Sequence, residues 1–340
     1  MRVYRLCFTS PLHLGRGRQE WTEIDPLPRS DTLTAALFSL WPHLFPEDTV
    51  EELAQAPPFA LSSALPWVEE DGQVDYFLPC PLGLLDGLAR GAKERKSLKK
   101  ISHLTPELIR RLLNREPLQG EQGRRYGDKQ IKDTRLWSHR PSDQGSPDLP
   151  FQHRSERLRL TVDRFGGGSV PGLLFDFAAV EFAQNCGVAV FAWFAGEEIQ
   201  RKVEAVLRLL GEEGLGGDRT AGLGRFEVAA EEEMPFPNLG TGGRLLLSLY
   251  HPTTGEVEAG VLDKARYELI TRSGWVTAPG AMSLRRQAVR MLREGSVIPD
   301  LGKDLYGDAV RVLESFPELG LHHPIFRGSP ALALPITMRT

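Results

Sequence analysis

The chain has 340 residues, of which 41% are hydrophobic and 25% charged, an ordinary composition for a globular protein with a substantial core and two domains. No apolar run approaches the roughly 20 residues of a membrane span, and the start Met1–Thr9 lacks the apolar core of a signal peptide, so we expect a cytoplasmic protein without membrane contact. The net charge of −4 hides a concentration of basic residues between Arg90 and Arg140, which predicts a surface for an anionic partner.

The three cysteines, Cys7, Cys80 and Cys186, stand far apart and show no zinc-type spacing. Their odd number argues against a disulfide framework, so we expect buried or semi-buried free thiols in a reducing compartment. The carboxylates show no calcium-loop spacing either. The sequence therefore predicts neither a metal nor a cofactor.

The first segment predicts a strand followed by a helix. Val3 to Thr9 alternates apolar and polar residues, as a half-buried strand does. A turn rich in glycine and arginine follows at residues 10–18 and contains His13. Ser30 and Asp31 then predict the N-terminal cap of a helix whose apolar residues recur at helical spacing. A strand with a helix packed back on it is typical of an α+β unit.

Residues 88–150 differ in character from the two strands predicted before them at 59–67 and 74–78. Apolar periodicity fades there, and only Pro106 to Leu113 keeps a helix-like pattern. We interpret the segment as an insertion that projects from the first domain and is partly mobile without its ligand. Tyr126 and Trp137 are candidates to stack on bases. The alternative is a solvated loop. The basic residues concerned are Lys93, Arg95, Lys96, Lys99, Lys100, Arg124, Arg125, Lys129, Lys132 and Arg135.

Periodic structure resumes after the insertion. Strands are predicted at 154–163, 172–178 and 188–194, and an amphipathic helix at 198–210. The helix leads into a loop in which six glycines fall between Gly211 and Gly224, with Arg219 and Arg225 among them. A short strand follows the loop.

A Pro/Gly-rich linker at 234–243 predicts a domain boundary, with domains at 1–233 and 243–340. Beyond it we expect strands at 244–250, 267–275, 295–298 and 331–334, and a helix that Ser283 caps. The order of elements repeats that of the first half. The sequence therefore predicts an α+β fold of two tandem ferredoxin-like (RRM-like) domains, with the basic insertion in the first.

The glycine-rich loop does not fit a nucleotide-binding P-loop. Gly217 to Gly222 has the glycine spacing, but Leu223 stands where the motif requires lysine. The order is also reversed, because a helix precedes the loop and a strand follows it. Two readings remain open: a connection whose arginines face water, or a platform that holds single-stranded RNA through backbone amides and arginines.

Read from Gly214 to Phe226, the loop resembles the glycine-rich loop of the RAMP superfamily of CRISPR proteins. Further stretches resemble other motifs of that superfamily in the same order, and narrow the resemblance to the family of the fourth Csm subunit of type III-A effector complexes. They are Pro11-Leu-His-Leu-Gly15, with Leu14 where an aromatic residue is common, Ser30-Asp-Thr-Leu33, Val162-Asp-Arg164 with Gly172-Leu-Leu-Phe175, and Tyr267 to Trp275.

The resemblance implies a non-catalytic RNA-binding subunit that acts in antiviral defence. Members of this family hold the repeat-derived 5′ handle of the crRNA and contact the large Cas10-type subunit and a backbone subunit of the Csm filament. The insertion would act as a thumb over the crRNA. The residues expected to bind RNA are His13, Arg16, Arg18, Lys99, Lys100, Lys129, Lys132, Arg164, Gly216, Gly217, Arg219, Thr220, Gly222, Gly224 and Arg225.

His13 leaves a second hypothesis open. A histidine beside RNA can act as a general acid or base, as in a metal-independent endoribonuclease that processes crRNA. No second catalytic residue is evidently paired with it in the sequence. Its other roles would be an RNA contact or a hydrogen bond within the turn. A third reading is the equivalent subunit of a type III-B complex.

Overall fold

The computed structural model gives the chain a mixed α+β fold rich in sheet, which confirms the predicted class. It describes residues 1–16, 21–86, 88, 92–116, 123–127, 131, 134–141, 147–163, 165–235, 237–276 and 284–338. The helices are α1 (Ser30–Leu44), α2 (Val50–Gln55), α3 (Ala92–Leu98), α4 (Pro106–Leu113), α5 (Glu197–Glu213) and α6 (Thr254–Glu258), with 3-10 turns at Arg219–Ala221 and Pro317–Leu319.

The strands of the N-terminal half are β1 (Arg2–Phe8), β2 (Phe59–Leu61), β3 (Leu65–Glu70), β4 (Gln73–Tyr76), β5 (Leu78–Pro79), β6 (His103–Leu104), β7 (Arg125–Tyr126), β8 (Leu136–Trp137), β9 (Gln152–Val162), β10 (Ser169–Phe182), β11 (Cys186–Phe194) and β12 (Phe226–Glu233). Those of the C-terminal half are β13 (Gly242–Leu246), β14 (Leu269–Trp275), β15 (Arg285–Leu292), β16 (Val297–Pro299), β17 (Leu305–Tyr306), β18 (Val310–Leu313), β19 (Ile325–Arg327) and β20 (Ala331–Thr337).

The N-terminal sheet is built around β1, which pairs antiparallel with β11 on one side and β12 on the other. Its order is β12-β1-β11-β3-β4, and β2 also pairs with β11. Alternate residues of β1, Tyr4 and Leu6, share a core with Leu37 of α1 and Val203 of α5. The succession β1-α1-β3-β11-α5-β12 has the β-α-β-β-α-β order of a ferredoxin-like unit.

The described part of the insertion is folded and packs on the body, so the prediction that it projects is wrong for these residues; its partial mobility without ligand stays a prediction. Strands β5, β6, β8 and β7 form a four-stranded sheet in that order. Leu108, Ile109 and Leu112 of α4 are buried in a core that also contains Leu245 and Leu247 of the C-terminal half. The helix-like pattern that the sequence keeps over Pro106–Leu113 is confirmed as α4.

The element that stands out from the body is the hairpin of β9 and β10, which pair with each other over most of their length. At its base Phe177 and Val180 are buried, because they pack on the N-terminal unit. Its outer half is exposed on both faces, which a hairpin reaching beyond the body requires. More than half of the surface is exposed for Leu158, Leu160, Val162, Phe165 and Leu174.

The C-terminal half contains a sheet of order β16-β13-β20-β17 and two hairpins, β14–β15 and β18–β19. The helix predicted after Ser283 is wrong: its described residues form β15, which pairs with β14, and Ser283 itself lies outside the described residues. Val289 and Met291 are buried at alternate positions of β15. So few apolar residues fit the spacing of a strand as well as that of a helix, and the sequence pattern could not distinguish the two. Within the described C-terminal residues α6 is the only α-helix, so a second ferredoxin-like unit is not confirmed.

The two halves meet in one hydrophobic core. Val3 and Phe191 of the N-terminal sheet belong to the same buried cluster as Leu334 and Ile336 of β20. Because this core crosses the predicted boundary, the division into 1–233 and 243–340 stays a prediction. Among the helices that the structure describes, none is both long and apolar enough to cross a membrane.

Candidate nucleic-acid interface

The glycine-rich loop, residues 214–225, is closed on itself by its own backbone. At the end of α5 the Gly214 N–H donates to the Leu210 carbonyl at 2.8 Å, and the chain turns away with a φ of +88°. Leu215 then donates its N–H to the Gly224 carbonyl at 2.9 Å, which joins the two ends of the loop. Leu215 and Leu223 are buried and anchor it. The loop is therefore a fixed platform.

Two glycines are required by space as well as by backbone conformation. Gly216 has a φ of +92°, and a β-carbon there would lie 2.4 Å from the His13 carbonyl oxygen. Gly224 has a φ of +73°, and its β-carbon would lie 1.9 Å from the Leu215 carbonyl oxygen. Both positions exclude any side chain, since left-handed backbone and close backbone approach each favour glycine.

The loop docks on the turn that follows β1. The Gly217 N–H donates to the His13 carbonyl at 2.8 Å, and the Gly224 N–H donates to the Pro11 carbonyl at 2.9 Å. The backbone N–H of Arg225 donates to the Ser10 hydroxyl oxygen at 2.8 Å. The structure thus brings together two segments that the sequence had singled out about 200 positions apart.

His13 supports this turn from the inside. Its Nδ1 lies 2.7 Å from the Ala178 carbonyl oxygen, which can only accept, so Nδ1 carries the proton. The ring stacks on Phe177 with centroids 4.3 Å apart. Only 4% of the residue is exposed, so its predicted RNA contact is not available in this conformation. It satisfies a backbone group, one of the alternatives that the sequence left open.

The hairpin also braces the loop, through residues that the sequence did not reveal. The Arg159 guanidinium lies 3.8 Å from the centre of the Phe177 ring, and it donates a hydrogen bond to the Asp218 carboxylate. Asp218 itself has left-handed backbone, with a φ of +59°. Alternating arginines in the predicted strand were a signal, but the register that brings Arg159 to Phe177 could not be read.

The loop presents cations outward. Arg219, Thr220 and Arg225 are exposed. Among the described residues, neither of these two guanidinium groups has an ion-pair partner. Arg16, which continues the same turn, is partly exposed and donates from Nε to Asp25 at 2.7 Å. The loop thus presents two exposed arginines, and the adjoining turn presents Arg16, which is paired with Asp25.

Other predicted RNA-binding residues lie elsewhere. Lys99 and Lys100 follow α3 on the folded insertion and are exposed, and no hydrogen bond or ion pair between described residues joins them to the loop. Four further candidates, namely Arg18, Lys129, Lys132 and Arg164, lie outside the described residues.

The predicted stacking of bases on the insertion is wrong. Tyr126 is 2% exposed and packs edge-on against Phe77. Trp137 is 3% exposed and lies beneath the Arg125 guanidinium at 5.1 Å. Both rings belong to the cores of the insertion because they are large apolar groups on a small sheet.

Asp31 is not the helix cap that the sequence predicted. Helix α1 begins at Ser30 without a side-chain cap, and the buried Asp31 carboxylate receives Arg272 Nε at 2.9 Å and the Arg327 guanidinium. Burial opposes ionisation of this group, but Arg272 and Arg327 outweigh it and hold the pKa of Asp31 below its usual range.

These contacts extend to the loop-bearing turn. Asp25 accepts from Arg16 at 2.7 Å and from Arg272 Nη1 at 3.3 Å. We call Arg16, Asp25, Asp31, Arg272 and Arg327 the Asp31 cluster. It joins the exposed turn to the hairpin of β14 and β15 in the C-terminal half. Within the described ranges, no group of three His, Cys, Asp or Glu side chains is placed to hold a metal ion.

Comparison with known proteins agrees with these features. The family model of the RAMP superfamily matches residues 6–227, and that of the CRISPR Csm4 C-terminal domain matches residues 241–336. A Thermococcus onnurineus protein named CRISPR system Cms protein Csm4 is 24% identical over 311 residues, which cover 88% of either chain.

Two solved structures share the fold. A chain in the crystal structure of a Csm3–Csm4 subcomplex of the type III-A CRISPR–Cas interference complex gives a TM-score of 0.65 at 17% identity, with 99% of each chain covered. A chain of the Csm1–Csm4 cassette in complex with cA4 gives 0.57 at 19% identity, covering 100% of this chain and 98% of that one. Since the superfamily match spans more than half of the sequence and the C-terminal match completes it, the chain belongs to the RAMP superfamily, as a member of its Csm4 branch.

Proposed function

We propose that this chain is the RNA-binding subunit of a type III-A Csm effector complex that holds the 5′ handle of the crRNA. The observation that carries the proposal is the closed glycine-rich loop, which presents Arg219 and Arg225 without carboxylate partners among the described residues. Guanidinium groups of this kind suit phosphate oxygens and base edges. The loop is held on the turn by backbone hydrogen bonds, so RNA would meet an already ordered surface.

The hairpin of β9 and β10, rather than the insertion, is the proposed thumb over the RNA. Phe165 at its tip is 102% exposed, and Leu158, Leu160 and Leu174 expose apolar surface on the outer half. An exposed apolar patch on a projecting element is typical of an interaction site. The hairpin contacts the loop through Arg159, which donates to Asp218, so both elements would act on the same strand of RNA.

The chain would connect its complex as well as bind RNA. Csm3 and Csm1 share the solved structures with Csm4 that have this fold. We propose that this chain likewise links the large Cas10-type subunit to the backbone filament and so supports antiviral defence. Co-purification with both subunits from a host that expresses the neighbouring genes, with sequencing of bound RNA, tests this role.

The subunit is proposed to be non-catalytic. His13 is buried, stacked on Phe177 and hydrogen-bonded to a carbonyl, whereas a general base must reach the 2′-hydroxyl of the RNA. Purified protein incubated with repeat RNA in EDTA should leave the RNA intact. Site-specific cleavage that disappears in His13→Ala would establish the endoribonuclease instead.

Handle binding is tested with fluorescence anisotropy on a labelled single-stranded RNA of the repeat-derived handle sequence. Replacing Arg219 and Arg225 by Ala should lower affinity at least tenfold, since a charged contact contributes on the order of 1.5–3 kcal/mol. Arg201→Ala is the matched control, because Arg201 is an exposed arginine near the other end of α5. Equal affinity for the double variant and the control would refute the proposed site.

A further inference from the structure

Arg286 of β15 is a cation that lies beside the Asp31 cluster. No carboxylate among the described residues forms an ion pair with it, and its buried Nε has no acceptor in the part of the chain that the structure describes. The connection between β14 and β15, residues 277–283, contains no Asp or Glu that could neutralise it. A partly buried guanidinium in this condition has an unmet need for an anion.

The space around Arg286 is built for its guanidinium. Gly274 is its cross-strand partner, at an irregularity of the hairpin. A β-carbon at Gly274 would lie 2.7 Å from Arg286 Nη2, so any larger residue would push the guanidinium away. The guanidinium lies against the backbone of Gly274, and its Nε is buried.

The charges around Arg286 do not balance. With Arg286 included, the cluster holds four guanidinium groups, those of Arg16, Arg272, Arg286 and Arg327, against the carboxylates of Asp25 and Asp31. The carboxylate of Glu294, whose charge also raises the pKa of Arg272, is already paired with Arg29. Burial and the neighbouring Arg327 and Arg272 lower the pKa of Arg286 to about 10.

We propose that Arg286, backed by Arg272 and Arg327, is a phosphate-binding site for the same RNA that the glycine-rich loop holds. The excess positive charge would be neutralised by a phosphodiester, whose oxygens suit a guanidinium fork. The C-terminal half would then take a direct part in holding the RNA.

Continuity favours RNA over an acidic protein segment as the source of the anion. Arg16, on the turn that carries the loop, is joined to Arg272 through Asp25. A single polyanion can therefore run from the loop over Arg16 to Arg286. This inference rests on the proposed function, because it requires RNA at the loop.

The test combines RNA affinity with stability. Arg286→Met keeps the apolar stem and removes the charge. With the labelled handle RNA, we expect about tenfold weaker binding and a salt slope smaller by about 0.7, the value for one phosphate contact on a single strand. The melting temperature without RNA should stay equal or rise, because an unpaired buried cation is removed.

Arg285→Met is the matched control, since Arg285 is the exposed neighbour on the opposite face of β15 and should change affinity less than twofold. A fall in melting temperature together with weaker binding would show a structural arginine and overturn the proposal. If Arg286→Met binds RNA as the parent does while the Arg219/Arg225 double variant loses RNA affinity, the phosphate site at Arg286 is refuted and the proposed function stands. If neither variant loses affinity, the proposed function fails with it. Unchanged RNA affinity with weaker co-purification of Csm1- or Csm3-type subunits would assign the cluster to a partner's carboxylate.

Discussion

Replacing Gly224 by Ala should separate the two reasons for which the loop needs glycine. Gly224 has left-handed backbone and also touches the Leu215 carbonyl, whereas Gly222 has a φ of +83° with nothing within 4 Å of its added β-carbon. Gly222→Ala therefore imposes only the conformational cost. Gly224→Ala imposes that cost and forces the backbone of the loop apart.

The magnitudes follow from the contacts. A non-glycine residue in left-handed backbone costs about 1–2 kcal/mol. Moving Gly224 away also breaks its hydrogen bonds with Leu215 and Pro11, each of which contributes about 0.5–1.5 kcal/mol. We expect Gly224→Ala to lower the free energy of unfolding by about 2–5 kcal/mol, and Gly222→Ala by about 1–2 kcal/mol.

Urea denaturation of the two variants and the parent measures this difference, with the slope checked for a common transition. Handle-RNA affinity, measured at a temperature where all three are folded, should fall for Gly224→Ala because the arginine-bearing segment is displaced. If both variants lose the same stability and bind RNA equally well, the loop is not held by its backbone contacts and the reasoning fails.

Trp137→Ala should lower the free energy of unfolding by about 3–5 kcal/mol and leave RNA affinity unchanged in the folded protein, because the ring is core; weaker RNA binding without loss of stability would contradict this. Asp31→Asn should destabilise by about 3–5 kcal/mol in denaturant titration, because it leaves the buried Arg327 without a carboxylate partner among the described residues and Arg272 with Asp25 alone. The parent should lose the stability that this carboxylate contributes only below about pH 4, since the pKa of Asp31 is held low in the fold. Burial and the nearby Arg293 and Arg29 lower the pKa of His103 to about 3, so only the unfolded chain binds a proton at this histidine as pH falls below about 6.5. The free energy of unfolding should therefore drop by up to about 1.4 kcal/mol per pH unit below that pH. In His103→Gln the melting temperature should depend less on pH over the same range.

The glycine-rich loop and its helix could be predicted because their signals are local. Gly214 ends a helix whose apolar spacing is visible in the sequence, and the missing lysine at Leu223 excluded a P-loop. That His13 lies under the loop could not be foreseen, since it depends on antiparallel pairing between β1 and β12. The resemblance to the RAMP superfamily pointed to both the turn and the loop, but it did not show that they lie in contact.

Errors arose where short elements take their character from distant partners. The strands β6 and β8 are two residues each, too short for any periodicity. Leu104 and Trp137 are buried in the core that the two halves share, and Leu136 in a separate cluster with Phe77 and Phe151. Asp31 has a typical capping position in the sequence, but the two arginines that pair with its carboxylate lie more than 240 residues away along the chain. Trp137 was assigned to RNA because of its basic neighbours, although its ring is core.

The central position of β1 has a consequence for synthesis. Its neighbours in the sheet, β11 and β12, are translated long after it, and the turn at His13 is completed only when the loop arrives. At about 5 to 20 residues per second, roughly 10 to 45 s separate the emergence of Phe8 from that of Glu233. During that interval the edge of β1 that faces β12 lacks its native partner, and the other edge lacks its partner until β11 has emerged. The nascent chain therefore lacks the proposed handle-binding surface until about two-thirds of it has been made, and the proposed capture of crRNA would take place only late in translation or after release.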